Sequence, residues 1–352
     1  MSYSTPATCS GQTARNRKFN ARSLPSLLGL FTIGFLLVLL LNGCNTFFNR
    51  ELKTLRVGMN RWPGFDVVLY AQEAGMFEKR GLKVEFRLFE NSQDATRAMI
   101  RGTLDAAFVP LWDVMQADPG DDRPAFIMVT NISAGADGIV AQPGIKSVTN
   151  LSGKTVGAQL GTIDHLILLE ALKLNQVDPM SVKIENLSNE TTVQMMKEGR
   201  LDAAVVWEPL LSDTASAIDG NIIYTTKEVD SLVIDGLAVR SSFIQEHQAD
   251  LTQFIATWFD LMKAIETQPE TVFASVAKQL GQSPEDFASD YSGLKKGDTV
   301  MNRRMFEPQG RLWTATQQIG RWLREDTRHG RIVRDDVEIN AEPVTAAIEI
   351  WR

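Results

Sequence analysis

Trp207-Glu208-Pro209 and Pro110-Leu111-Trp112-Asp113 each set an indole and a carboxylate directly behind an apolar run. An indole gives a small molecule a flat apolar wall, and a carboxylate accepts a cation or an N–H group. Asn60, Trp62, Phe65 and Asp66, around Pro63-Gly64, form a further cluster of the same kind. For Trp62 and Trp112 the plainer role is ordinary packing. Glu208 holds a cation, bonds the opposite face of a closing site, or makes a structural ion pair. Ser133 and Gly135 offer a hydroxyl and backbone N–H groups, or simply a tight connection built from small residues. Asp137 receives a ligand ammonium or fixes its own loop. Gly161-Thr162 opens an apolar helix whose first N–H groups can meet an anion. Thr162 is equally a helix N-cap, and the two roles coexist. Asp164 in the first turn is favoured by the helix dipole whatever the ligand. His165 makes a pH-sensitive contact or lies on the helix surface.

Catalysis is harder to build from this chain. His165, His247 and His329 are scattered, no nucleophile elbow occurs, and no glycine loop suits a phosphate. The expectation is a binder, not an enzyme, with no cofactor and no metal.

The elements that must position these residues come from a duplication. Gly102-Thr103-Leu104-Asp105-Ala106-Ala107-Phe108-Val109 recurs as Gly199-Arg200-Leu201-Asp202-Ala203-Ala204-Val205-Val206, and Leu55-Arg56-Val57-Gly58 corresponds to Lys154-Thr155-Val156-Gly157. Each copy reads as an amphipathic helix stopped by glycine, a tight turn and a buried strand. In α/β sheets ligands bind beyond the carboxyl ends of the strands, which is where the indole-carboxylate pairs fall. Two similar α/β lobes facing each other across a cleft follow.

Strands are expected at Leu55–Met59, Leu82–Phe89, Ala125–Asn131, Thr155–Ala158, Val182–Leu187, Leu201–Val206 and Val233–Val239. Helices are expected at Val67–Ala74, Ser92–Ile100, Leu166–Leu174 and Thr191–Glu198. Beyond residue 240 the chain reads as helical, broken at Pro269, Gly281, Gly293 and Gly310, and is expected to return onto the first lobe.

Arg15, Arg17, Lys18 and Arg22 precede an uncharged stretch that ends in Leu41-Asn42-Gly43-Cys44. This is the layout of a signal peptide over residues 1–43, with Cys44 as a lipidation site; an uncleaved membrane anchor is the alternative. Residues 44–53 then form a tether, 54–136 the first lobe, 137–234 the second, and 235–352 the return to the first lobe with the helical tail. Loss of residues 1–43 removes four basic groups and no acidic one, taking the net charge from −7 to −11. So acidic a chain argues against nucleic acid as a partner. Of the two cysteines only Cys44 remains, which rules out an internal disulfide in that form.

Arg56-Val57-Gly58 with Trp62-Pro63-Gly64, Ala71-Gln72-Glu73-Ala74-Gly75-Met76-Phe77-Glu78, Gly102-x-Leu104-Asp105-Ala106-Ala107, Ser133-x-Gly135-x-Asp137-Gly138-Ile139-Val140, Leu151-x-Gly153-Lys154-x-Val156-Gly157 and Trp207-Glu208-Pro209 occur in this order. Together they resemble the nitrate/sulfonate/taurine-type (NMT1/THI5-like) substrate-binding lipoproteins of ABC importers. The resemblance implies the type II periplasmic-binding-protein fold, two lobes joined by two crossover strands and closing on a small-molecule ligand. It also implies an ABC permease and its ATPase as partners, a lipid anchor on the outer side of the membrane, and a monomer. Enzymes exist on this fold, a pyrimidine synthase among them, and a sensing or scaffold lipoprotein would use the same cleft without an importer. Carboxylates outnumber basic groups at the expected mouth. A bare anion such as nitrate therefore suits it less than a zwitterion such as taurine or a heterocycle with N–H donors, such as a thiamine-pyrimidine precursor.

Overall fold

The computed structural model describes residues 54–117, 120 and 122–351. The basic and apolar segments, Cys44 and the tether lie outside the described residues. Among those described, no helix is long and apolar enough to cross a membrane.

In chain order the strands are β1 (Thr54–Met59), β2 (Lys83–Leu88), β3 (Ala106–Pro110), β4 (Pro124–Ser133), β5 (Asp137–Ala141), β6 (Thr155–Gly157), β7 (Lys183–Glu185), β8 (Ala203–Trp207), β9 (Asn221–Thr225), β10 (Ile234–Arg240), β11 (Leu294–Lys296) and β12 (Glu338–Ile339). They form two sheets, one ordered β11-β4-β10-β3-β1-β2 with β12 beside β4, the other β7-β6-β8-β5-β9. Each sequence repeat supplies a parallel trio, β2-β1-β3 or β7-β6-β8. The next strand is antiparallel and has just arrived from the other lobe: β10 beside β3, and β5 beside β8. Beyond it lies the strand that leaves, β4 or β9. The lobes are thus joined by two crossings, after β4 and after β9, as the type II binding-protein fold requires.

The repeated Leu-Asp pair has the same task in both lobes. Asp105 accepts the backbone N–H of Arg56 at 2.8 Å, and Asp202 accepts that of Thr155 at 2.9 Å. Each carboxylate also holds a cation, Arg56 at 2.7 Å or Lys154 at 3.3 Å. The preceding leucines, Leu104 and Leu201, are buried beneath the turn. At the end of each arriving strand a long side chain closes the same turn: Arg240 donates to the Leu104 carbonyl at 2.8 Å and Gln142 to the Leu201 carbonyl at 3.1 Å. Each pin thus ties neighbouring strands to one helix-strand turn.

Most expected elements are present with ends shifted by a residue or two, as helix and strand termini fray. The tail breaks where expected, giving helices Ser241–Thr267, Pro269–Leu280 and Pro284–Ser292, and Arg311–Glu325 after Gly310. After β1, Pro63–Asp66 forms a helical turn, with Phe65 and Asp66 donating to the Trp62 carbonyl at 2.9 Å each. The strand β9 had no expectation attached to it; it is a short edge strand paired on one side only, with β5.

One expectation needs correction. Helix Ser241–Thr267 does pack on the first sheet, where Trp258 meets Phe108 with ring centres 5.7 Å apart. The later tail, however, also reaches the second lobe. Lys173 lies 5.5 Å over the Trp322 ring, and Arg328 donates to the Pro179 carbonyl at 3.3 Å. A few residues on the chain returns, with Arg331 bonded to Gln93 and the backbone N–H of Arg334 bonded to the Met115 carbonyl at 2.8 Å. The apolar stripe of helix Arg311–Glu325, with Leu312, Ala315, Ile319 and Leu323 buried, is what draws the segment across.

Candidate functional site

The carboxyl ends of β1, β3, β6 and β8 point toward one cleft, and a cavity lies there between the lobes. Asn60, Trp62, Phe65, Pro110 and Asp235 line it from the first lobe; Asp137, Thr162 and Trp207 line it from the second. About 450 Å³ of space, part of it open to solvent, lies between these side chains. Trp62 and Trp207 also line an outer groove, so one indole from each lobe stands between groove and cavity.

The registers explain how the acids arrive. Asp137, first in β5, pairs with Trp207, while Asp235 in β10 pairs with Pro110. Pro110 and Trp207 occupy corresponding places in the repeat, which makes Asp137 and Asp235 counterparts in the two lobes. The sequence carries this as Asp137-Gly138-Ile139-Val140-Ala141 against Asp235-Gly236-Leu237-Ala238-Val239. Asp235 was expected only as part of the strand Val233–Val239, not as a site residue; this second, weaker repeat is the signal that marks it. Glycine follows each acid for a packing reason: a Cβ on Gly138 would lie 2.5 Å from the Tyr224 carbonyl oxygen, and one on Gly236 would strike that of Met128.

Asp137 and Asp235 are each 2% exposed. Burial pushes the Asp137 carboxyl up to about 7, with the Ser133 side chain opposing and Glu208 adding to the shift. Asp235 is raised well above the usual range by burial and then by the nearby charges of Asp137 and Asp113. Two acids behind the cavity behave alike. Asp164 is raised by burial and by Asp137 and Asp113, while Asp113, bonded to Ser92, is raised by burial to about 7.

Other expected site residues serve as framework. Trp112 does not line the cavity; its indole N–H donates to the Gly161 carbonyl at 3.1 Å, alongside Gln116 at 2.9 Å and Gln93. The Gly161 carbonyl is thus clasped by the first lobe. Thr162 does line the cavity while acting as the N-cap of helix Ile163–Leu174, accepting from Asp164 N–H at 3.2 Å and donating to the Gln159 carbonyl at 2.8 Å. Ser133 and Gly135 lie outside the lining because the second crossing uses their polar groups: Thr226 Oγ1 is 2.7 Å from the Ser133 hydroxyl and accepts the Gly135 N–H at 2.8 Å. Asp66 sits in the outer groove, paired with Arg61 at 2.8 Å and accepting the Trp62 N–H at 3.2 Å; burial lifts it to about 6 against the pull of Arg61. Glu208 also faces that groove and holds Ser212 of helix Leu210–Ile218 through its backbone N–H at 3.0 Å and its hydroxyl at 2.6 Å. His165 is neither on the helix surface nor in the cavity. It is fully buried, 3.6 Å from Asp326 and packed against the His329 ring. Among the described residues no cluster of histidine, cysteine and carboxylate side chains suits a metal.

Comparison with known proteins places this architecture. The chain is 26% identical to a Brucella abortus protein provisionally named a binding protein over 162 residues, 45% of this chain and 49% of the relative. It is 25% identical to a Bacillus subtilis protein provisionally named an aliphatic sulfonates-binding protein over 213 residues, 59% of this chain and 64% of that one. The matched span thus covers only about half to two thirds of these relatives. The crystal structure of the periplasmic aliphatic sulphonate binding protein of Escherichia coli superposes with a TM-score of 0.64 at 18% identity, covering 78% of this chain and 93% of that one, a likeness of fold. Residues 49–280, running from before β1 through both repeats and into the tail, match the NMT1-like family, to which the chain belongs.

Proposed function

We propose that this chain is the extracytoplasmic solute-binding component of an ABC importer, which captures a small organic solute by hinge closure and delivers it to a permease and its ATPase. The observation that carries this reading is the shared cavity, walled by Trp62 and Asp235 from one lobe and Trp207 and Asp137 from the other. A ligand there touches both lobes at once, which gives the closed form the differential affinity that a two-state switch needs. The solute is a sulfonate- or taurine-like compound or a heterocycle, bound without cofactor, metal or chemical conversion. Relatives named as binding proteins support a binder over an enzyme. Lipidation at Cys44, action as a monomer and a place on the outer side of the membrane complete the proposal.

Thermal-shift measurement on the purified chain against taurine, alkanesulfonates, nitrate, bicarbonate, thiamine precursors, riboflavin and aromatic carboxylates tests it. A ligand at 100 times its Kd stabilises by about 2.7 kcal/mol, a shift that is readily seen. Trp207→Ala should weaken binding of the hit at least tenfold while leaving the protein folded. Silence across the panel from a folded sample would count against the reading.

A further inference from the structure

We propose that the cleft selects a small, flat organic cation bearing N–H donors, of the amidinium or guanidinium type, held by Asp137, Asp235 and Asn60. The inference rests on the solute-binding reading above and replaces its sulfonate- or taurine-like solute with a cationic one. Asn60 spends its amide N–H on the Arg61 carbonyl at 3.2 Å, which orients Oδ1 as an acceptor. That oxygen, Oδ2 of Asp137 and Oδ2 of Asp235 are buried and have no hydrogen-bond donor, and all three residues line the one cavity. Asn60 is 7% exposed and the two aspartates 2% each. Buried acceptors without donors cost free energy that a ligand's N–H groups would recover.

The opposite charge is missing from the walls. Among the described residues that line the cavity, none is lysine, arginine or histidine. The guanidinium groups nearby are engaged: Arg61 pairs with Asp66 in the outer groove, and Arg331 bonds Gln93. A sulfonate would bring only acceptor oxygens and a negative charge to a pair of carboxyl groups. A planar nitrogen cation brings donors at its edge and a face that suits the rings of Trp62 and Trp207. Because one carboxyl comes from each lobe, a cation between them would also draw the lobes together, linking ligand charge to closure.

Isothermal titration calorimetry with methylguanidine and benzamidine, against taurine and benzenesulfonate, decides the matter on the purified chain. Benzamidine and benzenesulfonate share a ring and differ in charge. The expected result is heat from the cations and none from the sulfonates. Asp137→Asn and Asp235→Asn should each weaken cation binding at least tenfold, with an unchanged or raised Tm and native near-UV circular dichroism. Sulfonate binding that is indifferent to both asparagine variants would overturn the cation assignment and leave the solute-binding reading standing. Cation binding unaffected by both variants would overturn it as well. Binding of neither class by a folded chain would also overturn it, and the solute-binding reading would then depend on the broader panel.

Discussion

In the first lobe Asp105 grips the Arg56 guanidinium through both carboxylate oxygens, at 2.7 and 3.0 Å; in the second, Asp202 meets Lys154 at a single 3.3 Å contact. The backbone bond each acid accepts is nearly identical, and so is the turn it secures. At the other end of the same sheets the lobes diverge. Pro110 stands where the second lobe has Trp207, and the first lobe extends Trp112 to the Gly161 carbonyl. The aspartates of the arriving strands, Asp137 and Asp235, hold matching places at the cleft. The duplication therefore builds two similar scaffolds, and their unlike strand ends make a cavity with an acid from each side.

If that division is right, acids at the two ends of the sheets should respond to pH with opposite signs. Asp137 has a folded pKa raised to about 7 by burial, from an ordinary 3.8. Its contribution to stability is then whole below about pH 4 and lost as pH rises through 7. Asp137→Asn should flatten this loss, gaining on the order of 4 kcal/mol over the parent at pH 7, as urea unfolding at pH 4 and pH 7 would show. Parallel profiles for parent and variant would break the comparison. Burial pushes the Asp105 carboxyl up, but Arg56 outweighs it and holds the pKa below the ordinary value. That contribution is present at neutral pH and lost as the solution is acidified below the ordinary value of 3.8. Asp105→Ala should cost about 2 kcal/mol at pH 7, because it leaves a part-buried backbone N–H and an arginine without their acceptor. Asp202→Ala, at a more exposed pair, should cost about 1 kcal/mol. Equal losses in chemical denaturation would mean that the two pins are interchangeable. The smallest effect belongs to Trp112→Phe, which removes one donor from the Gly161 carbonyl. About 1 kcal/mol is expected, a roughly fivefold shift toward open lobes, readable as a longer spin-label distance across the cleft. An unaltered distance would show that Trp112 does not hold the lobes together.

The parts of this arrangement legible in the sequence are those made by neighbours along the chain. The helix-turn-strand repeats, the Thr162 cap and the glycine and proline breaks of the tail all depend on residues a few positions apart. The structural partner of Ser133 and Gly135, Thr226, was not legible because it lies on the other crossing, 93 and 91 residues away. His165 sits in an apolar helix whose pattern does not reveal Asp326 and His329 packed against it. Asp137 was legible as a polar residue at a crossing, whereas Asp235 acquires its place only through pairing with Pro110.

The segment from Asp326 to Arg334 touches the second lobe at one end and the first at the other. Opening the cleft must draw this stretch out. Eight residue steps extend at most about 3.5 Å each, roughly 28 Å in all, however far the crossings could swing. In the hinge motion proposed above the tail is a leash: it caps the gape of the jaw and holds the two halves in register, so that each closure returns Trp62 and Trp207 to the same facing positions.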